Sequence, residues 1–355
     1  MQTKFNSTSP SNIAGSKFAR FLTKNTFMKI LIALCCLLGF AGLLPAQEIS
    51  PVAVTLDDFQ YPYPIKFFQL SVEGQPLRMA YMDVMPIANP SGQTIVLMHG
   101  KNFGSFYWAN TIQMLSGKGY RVIAVDQLGF GKSPRPNIHY SLYLLAYNTH
   151  ALLDSLGVGK IILMGHSTGG MLATRYSILF PHQVEKLILE DPIGLEDYSR
   201  LLPYATPDQL YNEELNTDNE TTAKYIKAYF VEWKPEYEVY IKIMNGWKLS
   251  EDYPAQAKAA ALTTAMIYEQ PVCYDFSLVN AKTLIIVGRE DRTVIEKAKV
   301  PKELLPIAGK FTDMAEKTAK QIPRGKFVII EHCGHIPHLE QPEKFHQALL
   351  GFLKE

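Results

Sequence analysis

The sequence has little cysteine, no excess of charge of one sign and no apolar run long enough to span a bilayer. Four cysteines in 355 residues exclude the small proteins that depend on a disulfide framework. The 35 basic and 34 acidic residues form no basic stripe, so we expect a small-molecule partner and no nucleic acid. A hydrophobic content of 47% excludes a disordered or collagen-like chain and predicts a globular protein with a sizeable core.

The N-terminal segment has the features of a secretory signal peptide. Five basic residues and no acidic residue precede Glu48, and an apolar run at 30–44 leads to Pro45 and Ala46. We expect a signal peptide over residues 1–46, with Met1 or Met28 as the start, and export to the periplasm or the medium. An N-terminal membrane anchor is the alternative, but this run is shorter than the ~20 residues that a spanning helix needs. The mature protein would carry no membrane span.

Two cysteines remain after such a cleavage, Cys273 and Cys333. In an exported protein they either form a bridge or stay as buried thiols, and both alternatives are open. The oligomeric state is open as well.

The mature chain alternates short apolar blocks with helical patterns. Near-continuous runs of Ile, Val and Leu are typical of strands buried on both faces of a parallel sheet. Such strands are predicted at 94–98, 121–125, 160–164, 186–190, 282–287 and 326–330. Helices are predicted at 109–115, 142–156, 171–180, 311–321 and 343–353, and an antiparallel hairpin at 65–72 and 77–85 around residues 73–75. This alternation predicts an α/β fold with a mostly parallel central sheet and helices on both faces.

One stretch, residues 193–277, interrupts the alternation and contains no strand-like block. Its residue pattern predicts helices at 207–215, 221–232 and 235–244. The stretch contains 14 aromatic, 14 acidic and 7 basic residues. An insertion at the carboxyl edge of a parallel sheet is placed to cover a site. We therefore divide the mature chain into a first core part at 47–192, a helical cap at 193–277 and a second core part at 278–355. The alternative for the insertion is a structural helical bundle that contacts no ligand.

The segment Gly165-His166-Ser167-Thr168-Gly169 lies between a predicted strand and a predicted helix. In that context G-x-S-x-G forms a sharp turn that exposes the serine, and only small residues fit two positions to either side of it. Ser167 is therefore the candidate nucleophile. A serine hydroxyl needs a base, and the base needs an orienting acid.

Candidate bases and acids follow the ends of later strands. His332, His335 and His338 lie after the strand at 326–330. The acids are Asp291, after the strand at 282–287, and Asp191, after the strand at 186–190. Because carboxyl ends of parallel strands meet at one edge of a sheet, any of these groups can converge on the serine.

Taken together, these segments resemble the α/β-hydrolase superfamily over essentially all of the mature sequence. The resemblance rests on His99-Gly100, the segment Asp126-Gln127-Leu128-Gly129-Phe130-Gly131-Lys132-Ser133, the Ser167 turn, Gly288-Arg289-Glu290-Asp291, and Gly334-His335-Ile336-Pro337. It implies a triad of Ser167, His335 and Asp291, with Asp191 as the alternative acid. It also implies an oxyanion hole of backbone N–H groups from Thr168 and Lys101, with Asn102 as a further residue of the oxyanion loop.

A serine nucleophile favours acyl transfer to water. Haloalkane dehalogenases and epoxide hydrolases of this superfamily carry Asp at the same position, so Ser167 argues against both activities. The aromatic, acidic cap favours a small, largely apolar carboxylic ester, while a lactonase, a C–C bond hydrolase, a cofactor-free haloperoxidase and an aminopeptidase share the triad. The sequence has no metal cluster and no Rossmann fingerprint, so no metal or cofactor is expected. The hypothesis of a different class is a ligand-binding protein without catalysis.

Overall fold

A computed structural model describes residues 49–355, and residues 50–355 form one compact unit. The predicted signal peptide, with Met28, lies outside the described residues. In the described part of the chain no helix combines the length and the apolar character needed to cross a membrane.

The core is one eight-stranded sheet. Its strands are β1 (Ile65–Val72), β2 (Gln75–Val84), β3 (Thr94–Met98), β4 (Arg121–Val125), β5 (Ile161–His166), β6 (Val184–Glu190), β7 (Lys282–Gly288) and β8 (Gly325–Ile330). Their order is β1-β2-β4-β3-β5-β6-β7-β8; β2 pairs antiparallel with β1 and β4, and all other neighbouring strands are parallel. The predicted parallel sheet is therefore confirmed, and each predicted strand lies within two residues of an observed one.

The hairpin of β1 and β2 is tighter than predicted. Its turn consists of Glu73 and Gly74, both with positive φ (51° and 76°), and Gln75 already pairs with Val72 in the sheet. Two consecutive residues with positive φ give the two-residue turn that matches the twist of an antiparallel pair.

Ten helices surround the sheet in the described part of the chain. They are α1 (Ala109–Gly117), α2 (Leu142–Ser155), α3 (Thr168–Leu179), α4 (Pro207–Asn216), α5 (Asn219–Lys227), α6 (Glu238–Trp247), α7 (Tyr253–Glu269), α8 (Phe311–Gln321), α9 (Pro337–Glu340) and α10 (Pro342–Leu353). Alternate residues of β3 belong to two separate apolar clusters: Val96 lies with residues of α2 and α3, and Leu97 with residues of α1 and α10. Helices thus cover both faces of the sheet, as an α/β fold requires.

The insertion between β6 and β7 is helical, and the described residues 193–277 contain no strand. The predicted helix at 221–232 begins and ends too late, because α5 spans Asn219–Lys227 and the chain after it is bound to the core, where the Val231 N–H donates to Glu340 over 2.6 Å. The prediction also contains no helix at α7, which has 17 residues. Small alanines occupy several sides of α7, so its sequence lacks the apolar stripe by which amphipathic helices are recognised.

The two cysteines of the described chain are free thiols, with Cys333 buried and Cys273 partly buried. The sequence left open either a disulfide bridge or two thiols, and the structure contains two thiols.

Candidate active site

The turn between β5 and α3 holds Ser167 in a strained conformation. Its φ is 55° and its ψ is −119°, a region that non-glycine residues rarely adopt. A Cβ on Gly165 would collide with the carbonyl of Gly169, and a Cβ on Gly169 would collide with the carbonyl of Met98. The two glycines therefore allow this close turn, and helix α3 begins directly after the serine.

His335 bridges Ser167 and Asp291. The Ser167 hydroxyl lies 2.9 Å from Nε2 of His335, and Nδ1 of the same ring lies 2.7 Å from Oδ2 of Asp291. All three residues are buried. This is the arrangement in which a serine can donate its proton to a neutral imidazole whose tautomer an acid fixes.

The pKa of Asp291 is lowered despite its burial. Burial alone would raise this pKa, but the charge of His335 and hydrogen bonds with His335, Asp191 and Thr293 lower it. The Thr293 N–H donates to Oδ1 of Asp291 over 2.8 Å. Asp291 can therefore stay ionised beside the imidazole.

Two backbone N–H groups stand beside the nucleophile with no acceptor among the described residues, those of Lys101 and Thr168. Both residues line one small cavity, together with Gly100 and Gly169. The Tyr107 hydroxyl accepts the Gly100 N–H over 2.9 Å and so positions the loop that carries Lys101. N–H groups without a protein acceptor beside a nucleophile suit the oxygen of a tetrahedral intermediate.

Asn102 lies in the same loop with a φ of 69° and is buried. The Lys101 side chain leaves the cavity toward the cap, where its Nζ lies 3.8 Å from Oε1 of Glu214 in α4. The Lys101 charge is thereby paired, and a helix of the cap contacts the oxyanion loop.

The other histidines near the site have structural partners. The His99 ring accepts the Gln127 N–H at Nε2 over 3.1 Å. The His166 ring bridges the Tyr107 hydroxyl, at 3.0 Å, and the His335 carbonyl, at 2.8 Å. Burial lowers the pKa of His166 to about 3, so it is a neutral ring that connects the oxyanion loop to the base.

The two other candidate bases, His332 and His338, do not contact Ser167. His332 is exposed and has a φ of 57°. His338 is buried, and its Nδ1 lies 2.9 Å from Oε1 of Glu190, the last residue of β6. Neither ring reaches Ser167 by a hydrogen bond in the described structure.

The sequence interpretation missed two tyrosines that hold the site together. One is Tyr107; the other is Tyr229, whose carbonyl accepts the His335 N–H over 2.7 Å and whose ring centroid lies 4.9 Å from that of His335. Both act through backbone contacts or buried hydroxyls and carry no sequence motif. Among the cap tyrosines, Tyr240 packs edge-on against Phe103, with the ring centroids 5.3 Å apart.

One group of described side chains has spacing suitable for a metal ion: Asp191, Asp291 and His335, whose ligand atoms lie within 4.8 Å of one another. Their atoms are engaged otherwise, since His335 bonds Asp291 and the Gly288 N–H donates to both oxygens of Asp191, at 3.0 and 3.1 Å. A cation there would displace the contact between the histidine and its acid.

Comparisons with known proteins point to one family. A sequence model of the alpha/beta hydrolase fold matches residues 93–342. A 2-hydroxy-6-oxo-6-(2'-aminophenyl)hexa-2,4-dienoic acid hydrolase of Metapseudomonas resinovorans is 29% identical over 272 residues, 74% of this chain and 84% of that protein. A 2-hydroxy-6-oxononadienedioate/2-hydroxy-6-oxononatrienedioate hydrolase of Paraburkholderia phymatum is 27% identical over 294 residues, 81% of this chain and 95% of that protein. The crystal structure of a probable hydrolytic enzyme from Pseudomonas aeruginosa has a TM-score of 0.83 and 42% identity, and the match covers 85% of this chain and 98% of that one.

Proposed function

The chain belongs to the α/β-hydrolase family, and on that premise we propose that it is an exported serine hydrolase that cleaves small, largely apolar carboxylic esters. That it is a hydrolase follows from its family and its relatives. The bond, the substrate and the export are our proposal. The observation that carries the serine mechanism is the contact of Ser167 with a histidine–aspartate pair beside two unpartnered N–H groups. The choice of a neutral ester rests on the apolar surroundings of these groups and on the acidic cap.

In the proposed reaction the Ser167 oxygen attacks the ester carbonyl while His335 takes its proton. The carbonyl oxygen becomes an oxyanion and accepts the N–H groups of Lys101 and Thr168. Collapse of this intermediate breaks the bond to the alkoxy group, which leaves as an alcohol with the proton from His335. Water, deprotonated by His335, then attacks the acyl-enzyme, releases the carboxylic acid and restores the serine. Asp291 orients the ring and stays ionised throughout.

The surroundings of the oxyanion donors are mainly apolar, and the cavity there has a volume of only about 10 Å³, so an acyl group that enters it must be small and must move its walls. Beyond the backbone of Lys101 and Thr168, the side chains that line the cavity are mainly apolar: Phe130, Leu142, Leu145, Leu172 and Met266. Apolar walls around a few fixed polar groups are usual for a small-molecule site.

C–C bond hydrolysis is the second candidate, and the names of the relatives favour it. Those names describe acids, dienoic acid and dienedioate, so an enzyme of that kind binds at least one carboxylate. Here the cap carries 14 acidic against 7 basic residues, and Glu214 already neutralises Lys101. An anionic substrate would meet an unfavourable potential, which supports a neutral ester over a dienoate.

The test is hydrolysis of a matched pair, p-nitrophenyl butyrate and the p-nitrophenyl monoester of succinic acid, together with a dienoate of the relatives' type. We expect kcat/KM to be higher for the neutral butyrate, and Ser167→Ala to lower it by about 10⁴-fold or more. Glu214→Gln, which frees the Lys101 charge, should raise kcat/KM for the succinyl ester relative to the butyrate.

Rapid cleavage of the dienoate with negligible ester turnover would replace the proposal by the second candidate. Absence of fluorophosphonate labelling at Ser167 would favour a binding protein.

A further inference from the structure

Two buried carboxyl groups lie side by side at the end of the sheet. Asp191 follows β6 and Asp291 follows β7, and these strands are neighbours. Both residues are at most 2% exposed, and a carboxyl oxygen of each lies within 4.8 Å of the other. The triad as described uses only one of them, since His335 bonds Asp291.

Two carboxyl groups this close can form a hydrogen bond with each other only when one of them carries a proton. Two ionised carboxylates in contact, without water, repel each other strongly, so a buried pair of this kind shares one proton. The partners decide where that proton resides. Asp291 accepts N–H groups from the His335 ring and from Thr293, at 2.7 and 2.8 Å, and so has the better-stabilised charge.

Asp191 lacks such compensation. It accepts one backbone N–H, that of Gly288. The titratable groups that bear on the two carboxyls from the neighbouring elements are Glu190, Cys333, His335, Tyr198 and Tyr229. Burial raises the pKa of Asp191 well above its ordinary value, and the charges of Asp291 and Glu190 raise it further.

We propose that Asp191 is a neutral carboxylic acid whose O–H donates to the Asp291 carboxylate and thereby positions the acid of the triad. This inference rests on the triad of the proposed function. Asp191 is a positioning residue, because it acts on His335 only through Asp291.

The backbone conformation of Asp191 fixes its carboxyl group beside Asp291. Its φ of 34° is unusual for a residue with a side chain, and its N–H donates to the Ile286 carbonyl of β7 over 2.8 Å. A strained conformation persists where surrounding contacts over-determine it, and such residues cluster at functional sites.

With the Asp191 O–H in place, Asp291 has a third hydrogen-bond donor and cannot rotate away from His335. Without this O–H, Asp291 would be more basic and would hold a proton on His335 more tightly. The loss of activity on the acid side would then begin at a higher pH than in the wild type.

The test compares Asp191→Asn with Asp191→Leu. The amide of Asn can donate to Asp291 and accept the Gly288 N–H, whereas Leu can do neither. We measure the rate of fluorophosphonate labelling of Ser167 against pH, because this rate needs the triad but no particular substrate. Asp191→Leu should label at least about tenfold more slowly at neutral pH, with the acid limb moved up by about one pH unit. Asp191→Asn should restore most of the rate with the acid limb of the wild type, whereas Asp291→Asn should lose the labelling.

The opposite proton assignment gives a different result. If Asp191 were ionised, Asp191→Asn would remove a negative charge beside His335 and move the acid limb to lower pH, and the proposal would be wrong. Equal rates for the Leu and Asn variants would overturn the positioning role. Infrared difference spectra at neutral pH provide a readout independent of activity. The wild type minus Asp191→Asn spectrum should contain the C=O band of one protonated carboxylic acid, because Glu190, whose pKa is about 7, contributes equally to both spectra and cancels. If the wild type did not label at all, the proposed function would fail while the infrared band still decided the proton on Asp191.

Discussion

At the scale of single residues, the site depends on which of three nearby histidines contacts the nucleophile. The segment from His332 to His338 contains three imidazoles within seven positions. The backbone turns between them, and the N–H of His335 donates to the Tyr229 carbonyl of the cap. His332 points to solvent and His338 pairs with Glu190, so the His335 ring alone lies between Ser167 and Asp291 in the described structure.

Replacing His335 should therefore abolish catalysis, and replacing His332 should not. We expect His335→Ala to lower ester kcat/KM by about 10⁴-fold or more, together with the rate of fluorophosphonate labelling, because the serine loses its base. His332→Ala is the control and should stay within about twofold of the wild type, since an exposed side chain away from the site contributes little. Full activity of the His335→Ala protein would show that the base is misassigned.

At the scale of elements, a buried pair of side chains, Glu190 and His338, connects the carboxyl edge of the sheet to the C-terminal helices. Glu190 ends β6, and His338 in α9 donates its backbone N–H to Oε1 of Glu190 over 2.8 Å. The Trp108 ring stacks on His338 with the ring centroids 4.0 Å apart. Burial raises the pKa of Glu190 from 4.5 to about 7 and holds the pKa of His338 well below its usual range. The pair is therefore a hydrogen-bonded link between a neutral imidazole and a carboxyl that is about half protonated at neutral pH.

This link should make stability depend on pH through Glu190. The raised pKa means that its contribution to stability is fully present below about pH 4.5 and is lost as the pH rises through about 7. Relative to Glu190→Gln, the wild type should lose about 3 kcal/mol of unfolding free energy over that range, as a shift of this size implies. Urea unfolding of both proteins at several pH values measures the difference. Glu185→Gln, an exposed carboxyl of the same strand, serves as control, and a difference that does not change with pH would contradict the shifted pKa.

At the scale of the whole molecule, every residue assigned to the site lies in the unit of residues 50–355. The segment before it keeps its sequence-based interpretation as a signal peptide. Removal of residues 1–46 would change the formal charge from +1 to −4, because five basic residues and no acidic residue precede Glu48. The proposed exported form is thus mildly acidic and still holds the complete triad.

The mature protein isolated from its native host should begin close to Gln47. N-terminal sequencing measures this, because a signal peptidase cuts after a small residue such as Ala46. A protein produced from Gln47 onward should keep the ester activity of the full chain. An N-terminus at Met1 or Met28 in the native protein would contradict export by cleavage and favour the membrane-anchor alternative.

The elements most accurately predicted from the sequence are those that the core constrains directly. The bounds of β3 and β4 match the prediction, because a run of Ile and Val buried on both faces ends where polar residues begin. The cap was harder to predict. The ends of its helices depend on contacts with the core, as at α5, and α7 has small residues instead of an apolar stripe. Tertiary packing overrides local pattern in such segments.

By itself, the sequence identified the fold class, the family resemblance and Ser167 as candidate nucleophile, because a turn that tolerates only small residues leaves a local pattern. The resemblance gave Asp291 as the acid and Asp191 as its alternative, but the residues alone left both open, since the distance between two carboxyls that are 100 residues apart in the chain is set by strand order. Only the tertiary structure decided that Asp291 contacts His335 and that Asp191 lies beside Asp291. The same holds for Tyr229, whose part in the site is a backbone carbonyl that any residue could supply. Burial and contact determine where protons reside, and both are properties of the folded chain.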